Sequence, residues 1–137
     1  MSRTFMTDSL PTRGQLERTL AQRIQTFYRS QLGHRLGGVD CQISNRKITI
    51  VMEKAVTQPE QLLANSGKDE LAEQVHSDLS EAIQPQLKAL IEEITGVPVE
   101  DLLSDTTLET ERTGMIVVLA DAPQVRNSVT NGLAIRT

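Results

Sequence analysis

The side chains with which this sequence could do chemistry are few: two histidines, one cysteine and some adjacent carboxylates. His34 lies between Gly33 and the Gly37-Gly38 pair. His76 follows Val75 in a long helical pattern. With a single Cys41, the two histidines cannot complete a four-ligand zinc site without carboxylates. The acidic pairs Glu92-Glu93 and Glu100-Asp101 are neighbours in sequence, so on a helix they point about 100° apart and do not face one substrate as an acid/base couple. No serine sits in a GxSxG elbow, and there is no phosphate loop or GxGxxG. His76 is expected on the surface or flank of its helix. His34 is expected near the negative end of the preceding helix. Cys41 falls on the apolar side of an alternating segment and reads as a small buried hydrophobe; Arg46 and Lys47 are close in sequence but on a turn. The expectation is that no residue is catalytic, cofactor-binding or metal-binding, and that the chain is not an enzyme.

Charge and composition narrow the partners. The net charge is −4, yet the first 35 residues carry six arginines against Asp8 and Glu17, which leaves the remainder at −8. A basic first helix can meet nucleic acid, a membrane or acidic protein surface. The acidic total, with two Phe, one Tyr and no Trp, argues against nucleic acid, since single-strand binders stack bases on several exposed rings. No apolar run approaches the ~20 residues of a membrane span, and the N-terminal stretch lacks the apolar core of a signal peptide. One unpaired cysteine fits a reducing compartment. The expected location is the cytoplasm, without membrane insertion.

The elements that must position these residues follow from periodicity. Thr12 and Gln15 form a capping-box pattern. Leu16, Leu20, Ile24, Phe27 and Tyr28 then keep helical spacing up to Gly33, which suits a left-handed cap. Val39, Cys41 and Ile43, then Ile48, Ile50 and Met52, alternate across Ser44-Asn45-Arg46 and predict a hairpin. Thr57, Pro59 and Glu60 start a short helix. Ser66 to Thr95 reads as one long amphipathic helix, with Ser66 as its cap. Its apolar stripe is Leu71, Val75, Leu79, Ile83 (or Ala82), Leu87, Leu90, Ile91 and Ile94. Pro85 predicts a kink rather than a break, because the stripe continues across it. A second hairpin follows, with Leu102 and Leu103 on one strand, a long polar connection over 106–114, and residues 115–120 as a strand covered on both faces or interior. The fold class is α+β: an antiparallel-rich sheet from two β-hairpins, packed by an N-terminal helix and a long kinked helix. Residues 1–11 form a flexible arm, 12–121 a single domain and 122–137 a disordered tail.

Three stretches carry a family resemblance: EKAVTQPEQLLANSG (53–67), LIEEITGVPVEDLLSDTT (90–107) and TERTGMIVVL (110–119). With YRSQLG (28–33), Asp78 and Pro85, they resemble the small domain MpsC, named after a bacterial membrane-potential-generating system. Within that family the chain is most similar to the cyanobacterial gas vesicle branch. The resemblance covers about residues 15–120. It implies an accessory, minor protein of gas vesicle assembly or shell formation, conferring buoyancy through contacts with other gas vesicle proteins, either shell subunits or assembly factors. It implies no catalytic residue. The other branch of the family implies a soluble partner of an ion or bicarbonate transport complex or of a membrane-potential-generating one. A homodimer is compatible with both.

Overall fold

A computed structural model describes residues 9–126. Three helices and four strands follow one another: α1 (Arg13–Leu32), β1 (Gly38–Ser44), β2 (Lys47–Glu53), α2 (Gln58–Asn65), α3 (Asp69–Thr95), β3 (Val99–Thr107) and β4 (Arg112–Leu119). The strands form one antiparallel sheet in the order β1-β2-β4-β3. Helix α1 packs on β1 and beside α3, and α3 reaches β3. Both long helices therefore cover the same sheet face, and the fold is α+β.

Sequence explains most of these boundaries. Thr12 Oγ1 accepts the Gln15 N–H at 3.1 Å and Gln15 Oε1 accepts the Thr12 N–H at 2.9 Å, so two amides that a helix start leaves orphaned are satisfied. Gly33 at φ 62° ends α1, its N–H returning to Arg29 O at 3.0 Å. The first hairpin turns at Asn45 in the left-handed region, φ 60°, which asparagine tolerates.

The long helix differs from expectation at its start. It begins at Asp69, with Lys68 as the cap. Ser66 cannot cap it, because the turn it belongs to closes α2 instead. The N–H groups of Ser66, Gly67 and Lys68 return to Leu62, Ala64 and Leu63 carbonyls, and Gly67 takes φ 80°. The expected stripe holds from Ile83 through Leu87 to Ile91 and differs at its N-terminal end, where Ala72 is buried in place of Leu71. The buried residues of the helix are Ala72, Ile83, Leu87, Ile91 and Thr95, while Leu71 is 48% exposed. The helix passes Pro85 as one element. Pro85 and Glu81 both lie on its exposed side, so the Glu81 carbonyl that loses its donor faces solvent rather than the core.

The second hairpin is tighter than its polarity suggests. Thr106 and Thr107 pair with Thr113 and Arg112, which leaves a connection of residues 108–111 only. Threonine is β-branched and fits a strand although it is polar. Strand β4 is interior in the sheet order but is covered on one face: Met115, Val117 and Leu119 are buried, whereas Ile116 is 46% exposed.

The core joins Leu16, Leu20, Ile24 and Tyr28 of α1 to the inner faces of β1, β2 and β4 and to Ile83, Leu87 and Ile91 of α3. It is aliphatic apart from Tyr28 and the sulfur side chains of Cys41, Met52 and Met115. Carboxylates tie the helices to strand ends. Glu17 Oε2 accepts the Ile43 N–H and Glu92 Oε2 the Val99 N–H, each at 2.8 Å. Residues 9–11 and 122–126 adjoin each other: the Arg126 N–H donates to Pro11 O at 2.7 Å, Pro123 is buried and Val125 packs against the core. The rest of the expected arm and tail, residues 1–8 and 127–137, lies outside the described residues.

Candidate functional site

The most unusual side chain in the molecule is a carboxylate at 1% exposure, Glu60. It comes from the third position of α2, where the Thr57-Gln58-Pro59-Glu60 turn aims it back at Thr57. Its Oε2 accepts the Thr57 N–H at 3.1 Å and the Thr57 hydroxyl at 2.7 Å. Its Oε1 lies 2.5 Å from His76 Nδ1 on α3. His76 Nε2 is 2.7 Å from Thr106 Oγ1 on β3, and that hydroxyl is 2.5 Å from Thr113 Oγ1 on β4. Four elements thus meet in one hydrogen-bonded chain running carboxylate, imidazole, hydroxyl, hydroxyl.

The charges in this chain follow from its geometry. Burial alone would raise the Glu60 pKa, but hydrogen bonds from His76 and from both donors of Thr57, with the His76 charge, outweigh it and hold the carboxyl below the ordinary range. An ionised carboxylate only accepts, so His76 Nδ1 carries a proton. In neutral His76, Nε2 then accepts from Thr106, which in turn accepts from Thr113. Glu60 also acts on its surroundings: burial first, and then its charge, push the Tyr28 phenol up to about 12.

A carboxylate, an imidazole and a hydroxyl in this order are what hydrolases use to activate a nucleophile. Here the hydroxyl and its amide are already engaged within the protein. The Thr106 hydroxyl is shared with Thr113. The Thr106 N–H is held by Asp105 Oδ1 at 2.9 Å, so it is not free to stabilise an oxyanion. One adjoining cavity, lined by Tyr28, Glu60, His76, Leu87, Thr113 and Met115 among others, holds about 20 Å³, room for one water; on the solvent side His76 and Thr106 also line an open groove of about 480 Å³ with Glu73, Ser80, Glu81 and Gln84. The arrangement is a charged cross-link joining α2 and α3 to the β3–β4 hairpin.

Other residues singled out from sequence are placed apart from it. Cys41 is buried, and its thiol is pushed up to about 12 by burial and then by the charges of Asp40 and Glu17, which makes it a poor nucleophile. His34 does not serve the end of α1; its Nε2 donates to Lys54 O at 2.6 Å, pinning the loop after β2. Glu92 and Glu93 diverge, Glu92 to the Val99 N–H and Glu93 to Arg23 at 3.5 Å. Glu100 and Asp101 are exposed at the start of β3. His76 is only 20% exposed and is the residue whose role sequence reading missed. The available signal was spacing: Ala72, His76, Ile83, Leu87 and Ile91 lie on one helical stripe. Among the described residues, no group of three or more His, Cys, Asp and Glu could hold a metal ion, and no helix is long and apolar enough to cross a membrane.

Fold and site together define a small α+β domain whose helices cover one sheet face and whose second hairpin is tied in by a buried ionic chain. The family model for MpsC, described as a Na+-translocating membrane potential-generating system, matches residues 12–121. The chain belongs to the MpsC family. Comparisons with curated proteins and with solved structures give no match.

Proposed function

We propose that the chain is an accessory protein of gas vesicle assembly or shell formation, acting at the vesicle or in the cytoplasm through protein–protein contacts and not as an enzyme. Within MpsC this reading assigns it to the type of cyanobacterial gas vesicle protein V, on the stretches 53–67, 90–107 and 110–119 quoted above. The observation that best supports a contact role is the sheet face turned away from the helices, where Leu103 is 59% and Ile116 46% exposed. A sheet face with large aliphatic side chains in the open suits a binding surface better than a solvated one. The test is deletion of the gene with complementation. The expected result is fewer or misshapen vesicles, with vesicle proteins captured by the tagged chain. Normal vesicles together with no capture refute the reading.

The family description itself favours a second reading, a partner of an ion or bicarbonate transport or membrane-potential-generating complex. It predicts co-purification with membranes and altered membrane potential or carbon uptake on deletion. Unchanged values of both dispose of it.

A further inference from the structure

The outer sheet face has a self-complementary pattern that the strand register makes explicit. From β1 across to β3 its four rows are Ser44–Lys47–Val118–Asp101, Gln42–Thr49–Ile116–Leu103, Asp40–Val51–Gly114–Asp105 and Gly38–Glu53–Arg112–Thr107. The apolar centre is Val51, Ile116, Val118 and Leu103. Gly114 leaves a hole in it: a Cβ built there meets nothing within 4 Å. Thr49, Val51, Leu103, Asp105 and Ile116 rim that hollow. A knob, Ile116, therefore stands two residues from a hole of its own face.

We infer that this face binds the same face of a second copy, through a two-fold axis crossing the strands between the second and third rows. That operation sets Ile116 of each copy over Gly114 of the other, and Thr49 over Val51. It also sets Lys47 over Glu53. Lys47 makes no ion pair among the described residues, whereas Glu53 already receives Arg112 at 2.9 Å; the dimer completes an Arg–Glu–Lys bridge twice. A two-fold along the strands sets Glu53 opposite Arg112 twice but also Asp40 against Asp105 twice, and offers Lys47 only Val118; the first axis sets Leu103 over Asp105 and Val118 over Arg112 at the β3 side but opposes no like charges, so the balance of charge selects it. Four strands ~4.8 Å apart and about seven residues long at ~3.4 Å each give a footprint of about 450 Å² per copy, about 900 Å² in total, just under the ~1,000 Å² of stable specific interfaces and in the size range of a weak, reversible dimer. The inference does not depend on the vesicle reading, but the two compete for this face: a dimer formed here leaves vesicle proteins to another surface of the domain or to the dissociated monomer.

The test is sedimentation equilibrium of the full chain between about 5 and about 500 µM, a range that brackets micromolar dissociation. The wild-type mass rises from the 15.1 kDa monomer towards twice that value. Gly114→Val puts a Cβ where nothing lies within 4 Å and has no left-handed backbone to strain, and a β-branched residue suits a strand, so it is expected to keep the circular dichroism and melting of the wild type while staying monomeric. Ile116→Asp is monomeric as well, and Lys47→Glu weakens association about tenfold or more. A wild-type chain that is monomeric throughout overturns the proposal and leaves the face to a different protein. Dimers that persist in both Gly114→Val and Ile116→Asp also overturn it, by moving the interface elsewhere.

Discussion

Removing the Glu60 carboxylate should cost the domain a large part of its stability, and in a pH-dependent way. Glu60→Ala leaves three donors without their acceptor: the Thr57 N–H, the Thr57 hydroxyl and His76 Nδ1–H. A buried donor left without its acceptor costs about 1–3 kcal/mol, so about 3–9 kcal/mol for the three. Because His76 is 20% exposed and water can reach its side of the gap, the lower end applies, about 3 kcal/mol. For a domain whose whole stability is of order 5–15 kcal/mol that is a substantial loss. Glu60→Gln is the gentler variant. Its carbonyl oxygen can keep both Thr57 donors. Its amide then faces Nδ1, which can become the acceptor if the imidazole proton moves to Nε2 and is donated to Thr106. What is lost is charge assistance, about 1–1.5 kcal/mol.

The assay is urea unfolding followed by circular dichroism at several pH values. With a slope of about 1.5 kcal/mol per M, Glu60→Ala moves the midpoint down by about 2 M and Glu60→Gln by up to about 1 M at neutral pH. The folded-state pKa of Glu60 lies below its unfolded value of about 4.3. Its contribution is thus complete above that unfolded value and disappears as pH falls through the folded one. Wild type and Glu60→Gln should therefore converge in acid and differ most near neutrality. A gap that stays constant from neutral pH into acid, or a midpoint shift below about 0.3 M for Glu60→Ala, would show that the carboxylate carries no ionic cross-link.

Three further outcomes are expected. Cys41 should resist alkylation in the native chain at neutral pH and react at the unfolded rate only in denaturant, because burial and two nearby carboxylates disfavour its thiolate; rapid native labelling contradicts its placement in the core. Thr12→Ala should lower stability by about 1 kcal/mol through loss of the α1 cap, read as a drop in the urea midpoint, while Thr26→Ala on the exposed face of the same helix changes it little. Pro85→Ala should leave the fold intact and raise the melting temperature by restoring a backbone donor to Glu81 on the solvent side of α3; a marked fall in stability would show that the proline is required.

The elements could be read from the chain where local chemistry and burial agree. The Thr12–Gln15 box, the Gly33 cap and the alternation of Cys41, Ile43, Ile48, Ile50 and Met52 each state a local preference that packing then reinforces. The start of α3 escaped because Ser66 and Lys68 are rival caps, and the choice rests on whether the Ser66 amide serves the helix before or the helix after. The β3–β4 connection is shorter than the sequence suggests because Thr106, Thr107 and Thr113 are polar, and polarity alone does not separate a loop from a β-branched strand. They are polar because two of them complete the chain to His76.

The site was hidden for a related reason. Each of its members has an ordinary local explanation: Glu60 as the end of a capping box, His76 as a helix residue, and Thr106 and Thr113 as strand residues. What makes them a unit is that α3 is one continuous helix: with Ile83, Leu87 and Ile91 facing the core, 3.6 residues per turn carries Ala72 and His76 to the same side and Leu71 outward. A stripe drawn through Leu71, Val75 and Leu79 counts apolar residues correctly but leaves the imidazole outside. The stripe that folds accepts a histidine in place of a leucine because Glu60 and Thr106 satisfy both ring nitrogens. Without those partners, burying the imidazole would cost more than exposing it, and the N-terminal half of α3, whose only fully buried residue ahead of Ile83 is Ala72, would be weakly held. Loss of the Glu60 cross-link should therefore loosen α3 ahead of Ile83 while leaving its C-terminal half, held by Leu87 and Ile91, in place. Hydrogen exchange on Glu60→Gln is the measurement: faster exchange confined to α2 and residues 69–82 is expected, whereas uniform acceleration along α3 would contradict this.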